Sequence, residues 1–168
     1  MDVASSAVIT PLSLSNILTV LFALACVKLI ASQTSHRLWS VAFTVAPAML
    51  ATSVALLLLT EELSPTLASD GLWAVALLVG FLVGRKRGWS LALTFYPEKR
   101  RFSAPQTWDN IAVAMVLFVL AGIDTYSALT RNALVDPEYI AAVGALCSGY
   151  FLGRSWVVAV RVERTATL

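Results

Sequence analysis

The residues that could carry chemistry in this chain are few, and most stand alone among apolar neighbours. Asp124 is the only carboxylate well inside a long apolar run, where a charge is costly unless it faces a cavity or a partner. It could bind a proton, a cation or a substrate group, or it could be a polar structural residue that meets Arg131 by snorkelling. Asp109, at the start of the same run, is predicted to cap backbone N–H groups and to pair with Arg85 or Arg154.

Other kinds of chemistry lack the residue sets that they need. Cys26 and Cys147 form no Cys-x-x-Cys pair for a metal or for thiol exchange, and both are predicted to be small buried hydrophobic residues. His36 is the single histidine, so there is no histidine pair for a haem and no evident Ser-His-Asp triad. Phosphate loops, zinc spacings and nucleic-acid-binding modules are also missing from the sequence. We therefore predict a protein that is not an enzyme and has no metal or cofactor.

The composition indicates the environment of these residues. Of the 168 residues, 58% are hydrophobic and only 13% are charged, and the mean hydropathy is +0.79. A soluble domain of this size could not bury so much apolar surface. Several apolar runs approach the ~20 residues that cross a hydrocarbon layer of ~30 Å. We predict a single all-α transmembrane domain over residues 1–168, with five helices at about 14–31, 38–60, 65–84, 111–129 and 137–155.

Two of these spans have features that could change their course. Pro47 lies inside the second span and should kink it, unless a neighbouring helix or a hydroxyl such as that of Thr44 satisfies the carbonyl that proline frees. The fifth span reaches at least Gly153, and the apolar residues from Trp156 to Val162 could continue it.

The basic residues predict the orientation of the spans. A five-span arrangement places eleven of the twelve lysines and arginines on one side and only Arg131 on the other. Cytoplasmic loops retain basic residues during insertion, whereas four or six spans would scatter them over both sides. The sequence therefore predicts a multi-pass protein of the bacterial inner membrane, with its N-terminus outside and its basic loops and C-terminus in the cytoplasm.

Two segments of equal length echo each other along the chain. Residues 39–85 and 108–154 each begin with tryptophan and end in a Gly-x-x-x-Gly-Arg sequence, and they align without a gap. Between those ends the match is mostly hydropathy. A duplicated two-helix hairpin and shared membrane constraints both explain the likeness.

Paired glycines four residues apart allow the backbones of two helices to approach closely. Such a contact could pack the third span against the fifth, or it could form a dimer interface. The residues predicted to pack in this way are Gly80, Gly84, Gly149 and Gly153.

The loop of residues 85–107 is both basic and aromatic. Every second residue from Trp89 to Phe95 is apolar, which is the period of a β-strand, and Pro97-Glu98-Lys99 then turns the chain back. We predict a short β-hairpin at the membrane interface. Its apolar side would face the bilayer or the mouth of the bundle, and its basic side would face phosphate groups.

Basic clusters next to a membrane attract anionic lipid headgroups. The same residues could instead serve only to orient the protein during insertion. The residues predicted to bind membrane lipid or a protein partner are Arg85, Lys86, Arg87, Trp89, Lys99, Arg100, Arg101, Trp108 and Arg154.

Several of these motifs resemble a family of small bacterial inner-membrane proteins of unknown function. The resemblance covers about the C-terminal half, through Gly84–Trp89, the Phe102-x-x-Pro105-x-Thr107-Trp108 stretch and the run Ser148–Arg154. In that family a Phe-x-x-Pro-x-Ser/Thr-Trp stretch leads into a late span, and a glycine-rich Gly-Arg end closes the bundle. The chain is also distantly similar to the CcdC-like membrane proteins, named for an association with cytochrome c biogenesis. Neither resemblance implies a catalytic residue.

Two functions follow as expectations. The first is a non-enzymatic accessory or scaffold component that holds lipid or a membrane partner. The alternative is a small oligomeric transporter or channel, with Asp124 lining its path. A polar stripe shared by Asp124, Thr125 and the hydroxyls of Thr44, Thr52 and Ser53 would favour the alternative. Pairing of those groups inside one closed bundle would favour the scaffold.

Overall fold

The computed structural model describes residues 13–33, 38–61, 67–96, 101–103 and 107–166. Within these residues the predicted all-α architecture is confirmed. Four of the helices, α1, α2, α4 and α5, are long and apolar enough to cross a membrane by length and composition. The elements are α1 (Leu14–Gln33), α2 (Val41–Glu61), α3 (Leu67–Ser90), β1 (Thr94–Tyr96), β2 (Arg101–Ser103), α4 (Trp108–Thr130) and α5 (Pro137–Ala166).

Helices α3 and α5 both extend past the spans predicted from the sequence. The prediction ended the third span at residue 84, but α3 continues to Ser90, so Trp89 is helical and the predicted strand start there was wrong. Helix α5 runs without a break from Pro137 to Ala166. Its 30 residues correspond to about 45 Å, which exceeds the thickness of a hydrocarbon layer. The last turns of both helices therefore lie beyond the length that a membrane crossing needs.

The closest approach in the fold is between α3 and α5. A Cβ atom at Gly80 would overlap the carbonyl oxygen of Leu146, and a Cβ atom at Gly84 would overlap that of Tyr150. The contacts advance together along both chains, so the two helices run parallel. The four glycines of the two motifs lie in this contact, Gly80, Gly84, Gly149 and Gly153, and Gly88 extends it against Arg154 and Val157. The glycine motifs are thus used inside the chain, which favours intramolecular packing over a dimer interface.

Helix α2 runs antiparallel to α5. The hydroxyls of Thr52 and Ser148 lie 3.0 Å apart, and the Ser155 hydroxyl donates to the carbonyl of Thr44 at 2.9 Å. Because α1 and α4 also alternate in direction with their neighbours, the ends of α1 and α3 and the starts of α2 and α4 meet at one end of the bundle. We call this the basic end, and we call the other the opposite end.

Pro47 interrupts the hydrogen bonds of α2 without ending the helix, which runs from Val41 to Glu61. Proline has no N–H, so the carbonyl of Phe43, four residues earlier, loses its usual donor. The side chain of Gln33 in α1 donates to that carbonyl at 2.9 Å. A neighbouring helix therefore satisfies the freed carbonyl, while the Thr44 hydroxyl bonds the carbonyl of Ser40 instead.

The β-strands form a small cap at the basic end. Strands β1 and β2 pair antiparallel, with Phe95 opposite Phe102. Trp39 adds a bridge on the other side of β2, because its N–H donates to the Phe102 carbonyl at 2.8 Å and its carbonyl accepts from the Phe102 N–H at 3.1 Å. Phe102 is 1% exposed and packs with Val158 and Val162 of α5. The predicted turn at residues 97–99 lies outside the described residues.

The bundle itself has a core of small and branched residues. Its fully buried members include Ala23, Ala51, Leu58 and Leu117, which come from α1, α2 and α4 and pack with α5. The outward faces of the helices are instead apolar and exposed. The outward face of α3, for example, presents Leu72, Val75, Leu78, Val79, Leu82 and Val83.

Candidate functional site

A polar cluster joins α4 to α5 at the basic end. The Tyr150 hydroxyl donates to Oδ2 of Asp109 at 2.6 Å, and Nη1 of Arg154 donates to the same oxygen at 3.3 Å. Nη2 of Arg154 donates to the hydroxyl of Thr107 at 2.8 Å. Arg154 is only 8% exposed. Its charge is therefore buried, and it is neutralised by a carboxylate whose side chain is 24% exposed.

The local sequence explains how these groups meet. Tyr150 and Arg154 are four residues apart on α5, so their side chains lie on one face of the helix. Asp109 lies in the first turn of α4, where a carboxylate is favoured by the helix dipole. Thr107 is the N-cap residue of α4, but its side chain makes no capping bond and accepts from Arg154 instead. The start of α4 and one face of α5 thus form the cluster.

The chemistry of the cluster is that of an interhelical lock. The buried guanidinium is matched by one carboxylate and two hydroxyl oxygens, so its charge and three of its five N–H donors are used within the protein. Loss of one partner from a fully buried pair commonly costs about 3–5 kcal/mol, so a loss near the lower end is expected for a pair whose carboxylate is partly exposed. This arrangement links α4 to α5 and leaves Arg154 8% exposed, and its predicted contact with lipid stays a prediction.

The predicted pair between Asp109 and Arg154 is present, whereas Arg87 rather than Arg85 approaches from α3. Nε of Arg87 lies 3.6 Å from Oδ2 of Asp109, and 62% of its side chain is exposed. Arg85 is exposed as well. The backbone of Arg85 lies against Gly153 and that of Gly88 lies against the Arg154 carbonyl, so both belong to the contact between α3 and α5. Arg87 is therefore a peripheral member of the cluster.

An open cavity of about 420 Å³ lies beside the cluster, between the end of α3 and the start of α4. Trp108 on its wall is 73% exposed, and Trp89 nearby is 49% exposed. Lys86 is also exposed at this end. The cavity is lined by Arg87, Ser90, Leu91, Ala92, Thr107, Trp108 and Asp109.

Arg161 organises the same region, and the sequence did not single it out. Its Nη1 donates to the carbonyls of Gly88 at 3.1 Å and Leu91 at 2.7 Å, at the end of α3. Its guanidinium also lies 5.9 Å from the centre of the Trp89 ring. Arginine here satisfies carbonyls that a helix end leaves without donors. The signal in the sequence was the apolar run after residue 155, which carries α5 far enough to bring Arg161 into reach.

The structure does not gather the remaining predicted lipid-binding residues into one pocket. Arg85 and Lys86 lie on the exposed side of α3, and Arg101 is exposed on β2. Lys99 and Arg100 lie outside the described residues. The basic end therefore presents separate exposed cations around a buried, internally neutralised arginine.

Asp124 lies at the opposite end, away from the cluster, and is 6% exposed. The hydroxyls of Thr125, Thr52 and Ser53 each donate to the carbonyl four residues earlier in their own helix. Thr44 does the same, and Thr52 also meets Ser148 of α5. Of these hydroxyls, that of Thr52 bonds across to another helix, whereas those of Thr44, Ser53 and Thr125 bond within their own helices.

Within the described residues, no group of three or more His, Cys, Asp or Glu side chains is placed to hold a metal ion. Cys26 and Cys147 are both free and buried. No family model matches the chain, and comparisons with curated proteins and with solved structures found no match. The resemblance to small bacterial inner-membrane proteins stays a prediction from sequence motifs.

Proposed function

We propose that this chain is a non-enzymatic protein of the bacterial inner membrane, with five spans, that acts as an accessory or scaffold component. Its basic end binds anionic lipid headgroups or a membrane partner. The observation that carries the proposal is the difference between one buried arginine and the exposed basic residues around it. Arg154 is buried and neutralised by Asp109, whereas Arg85, Lys86 and Arg101 are exposed at the same end.

The apolar surface supports the membrane part of the proposal. Large apolar side chains are exposed on the outward faces of all five described helices. Exposed aromatic residues lie near both ends of the bundle, as in the aromatic belts of membrane proteins. Trp89, Trp108 and Trp156 lie near the basic end, and Tyr126 and Tyr139 lie near the opposite end. Helix α3 is the fifth span in this proposal, since it runs parallel to α5.

The orientation can be tested with introduced cysteines, because the native cysteines are both buried. Ser90 is exposed at the basic end, and Ala133 is exposed at the opposite end. With the basic end in the cytoplasm, a membrane-impermeant maleimide added to intact cells should label Ala133→Cys and spare Ser90→Cys. Labelling of both variants from the same side would contradict the five-span arrangement.

The lipid contact is expected to be electrostatic. Each basic residue near an anionic surface contributes on the order of 1 kcal/mol. The exposed tryptophans beside the cations would rest at the headgroup level. Together these groups should favour phosphatidylglycerol over phosphatidylcholine around the basic end.

The test is native mass spectrometry of the protein released from nanodiscs that contain equal amounts of those two lipids. The unaltered protein should retain mainly phosphatidylglycerol, and the Arg85→Gln/Lys86→Gln/Arg101→Gln variant should lose that preference. Arg131→Gln is the matched control, since it removes an exposed cation at the opposite end. Equal lipid preference in the triple variant and in the unaltered protein would overturn the lipid proposal.

A protein partner would be detected in the same measurement on protein purified in mild detergent from its native membrane. A stable hetero-complex that the triple variant no longer forms would assign the basic end to a partner. A homo-oligomer without lipid preference would support the transporter alternative instead.

A further inference from the structure

The β-cap at the basic end has one covered edge and one open edge. Trp39 covers β2 by exchanging both backbone hydrogen bonds with Phe102. In an antiparallel ladder, a residue that makes both bonds to one neighbour turns neither group towards the strand on its other side. Phe95 lies opposite Phe102, so its own N–H and carbonyl point away from β2. Within the described residues neither group has a hydrogen-bond partner, and β1 is therefore the open edge.

An open edge is a template for a further strand, and strand addition is a common way of binding an extended peptide. In a pair that exchanges both backbone bonds, the two side chains lie on the same face of the sheet. A residue that bonds Phe95 would therefore place its side chain on the Phe95 face. Because β1 has only three residues, the side chains of the added segment must supply much of its affinity.

A cavity of about 440 Å³ lies on that face, between the strands and the last turns of α5. Phe95 and Phe102 form its wall on the side of the sheet, and Val162 forms part of the wall on the side of α5. A side chain from a strand added beside Phe95 would enter this space. The described lining residues are Leu93, Thr94, Phe95, Phe102, Arg161, Val162 and Thr165.

The charge at this cavity is positive. Arg161 lines it, and no carboxylate is among the described lining residues. Nη1 of Arg161 donates to carbonyls at the end of α3, but the N–H groups on Nε and Nη2 make no hydrogen bond within the described part of the chain. The ion pairs that the described residues form belong to Arg87 and Arg154. Arg161 can therefore offer donors and charge to an acidic group.

We propose that the open edge of β1 binds an extended acidic segment of a partner protein, which pairs with the backbone of Phe95 and places a carboxylate against Arg161. A guanidinium makes short, charge-assisted hydrogen bonds to a carboxylate. A second copy of this chain is a poorer occupant, because it would bring two exposed Arg101 side chains to one interface.

This proposal rests on the accessory function proposed above, since it names the chemistry of the partner. The lipid test of that function changes neither Phe95 nor Arg161. Retention of phosphatidylglycerol can therefore succeed while peptide binding fails, and the two failures are distinguishable.

The experiment measures fluorescence anisotropy of a labelled heptapeptide of alternating glutamate and valine, added to the full chain in phosphatidylcholine nanodiscs. Two matched peptides keep the protein unaltered. One has glutamine in place of glutamate, which removes the charge. The other has N-methyl groups on its glutamates, which removes the backbone donors of the residues that would face the cavity and keeps their carboxylates.

Two protein variants locate the site. Phe95→Pro and Phe95→Val both remove the aromatic ring, but only the proline variant lacks the N–H at the open edge. Proline is tolerated in an edge strand where the N–H points away from the sheet. Phe95→Val is therefore the matched control for the loss of the ring. The N-methylated peptide tests the same hydrogen bonds even if Phe95→Pro fails to fold.

We expect the glutamate peptide to bind about tenfold more tightly than the glutamine peptide, which is the value of a hydrogen bond to a charged group. N-methylation and Phe95→Pro should each abolish that binding, and Phe95→Val should keep the preference for glutamate. Absence of binding, equal affinity for the two peptides, or binding that survives both N-methylation and Phe95→Pro would overturn the proposal. A dimer of this chain that Phe95→Pro dissociates would assign the edge to a second copy and would overturn it as well.

Discussion

Helices α3 and α5 carry the same Gly-x-x-x-Gly-Arg sequence but differ in what surrounds it. Their contact is reciprocal: Gly80 approaches the backbone of Leu146, and its counterpart Gly149 approaches the backbone of Leu77. The arginines that follow differ completely, because Arg154 is 8% exposed and Arg85 is exposed. An identical motif therefore sets how closely the helices pack, but not what its arginine does.

The difference arises from the neighbours of each helix. Helix α5 is the centre of the bundle and packs against α2, α3 and α4, whereas α3 packs mainly against α5. Asp109 of α4 can therefore reach Arg154, whereas among the described residues no comparable helix covers Arg85. The reciprocal glycine contact is what a duplicated hairpin would leave. The first helices of the two segments, α2 in residues 39–85 and α4 in residues 108–154, do not pack in equivalent ways against α5. Duplication therefore stays a hypothesis.

The largest effect should come from the shared contact itself. In Gly84→Ala or Gly153→Ala, the added Cβ would overlap a backbone carbonyl of the partner helix, so the helices must separate. We expect a loss of about 3 kcal/mol in the free energy of unfolding, measured by SDS titration in mixed micelles.

Gly122→Ala is the matched control for this substitution. Nothing lies within 4 Å of a Cβ atom at Gly122, and alanine is the better helix former, so this variant should be slightly more stable. If Gly84→Ala and Gly122→Ala had equal free energies of unfolding, the tight contact between α3 and α5 would be contradicted.

The next effect separates the two arginines. Arg154→Gln leaves Asp109 and Tyr150 without their buried guanidinium, and we expect a loss of roughly 3 kcal/mol in the free energy of unfolding. Arg85→Gln should leave stability unchanged. The double variant Asp109→Asn/Arg154→Gln should lose less than the sum of the two single variants, because the pair is coupled. Additive losses would contradict the lock between α4 and α5.

Arg161→Gln should act locally on the end of α3. It removes donors from the carbonyls of Gly88 and Leu91, bonds to a charged group that each contribute about 1.5–3 kcal/mol. We expect hydrogen–deuterium exchange to rise at residues 86–91 and to stay unchanged in α1. Unchanged exchange at residues 86–91 would show that α3 extends to Ser90 without this cap.

The smallest effect should be that of Arg87→Gln. The Arg87–Asp109 pair is 3.6 Å long and its arginine is mostly exposed, so the loss should be at most about 0.5 kcal/mol. Thermal unfolding in detergent would measure it beside Arg154→Gln. Comparable losses in Arg87→Gln and Arg154→Gln would mean that both arginines stabilise the protein equally through Asp109, which contradicts a peripheral role for Arg87.

The sequence predicted the features that depend on local composition. Hydropathy indicated the helices, and the spacing of Gly80 and Gly84 indicated a close contact. The Arg154 partner was also predicted, since Asp109 begins a helix at a comparable depth. These features required only the length and periodicity of single segments.

The features that were missed depend on contacts between distant segments. The basic run after Gly84 is typical of a loop, but Gly88 packing and the cap from Arg161 keep it helical. The bridge between Trp39 and Phe102 joins residues far apart in the sequence, so no local period indicated it. The burial of Arg154 likewise depends on α4 and α5 together, so the sequence of α5 alone did not indicate it.

The most direct test of the account is native mass spectrometry with collisional unfolding on Arg85→Gln/Lys86→Gln and on Arg154→Gln, each released from phosphatidylglycerol-containing nanodiscs. One experiment then reports retained anionic lipid and resistance to unfolding together. The account predicts that the first variant loses lipid and keeps its stability, whereas Arg154→Gln unfolds at lower collision energy and keeps its lipid while folded. The account would be contradicted if Arg85→Gln/Lys86→Gln lost stability but kept its lipid, or if Arg154→Gln lost lipid without losing stability.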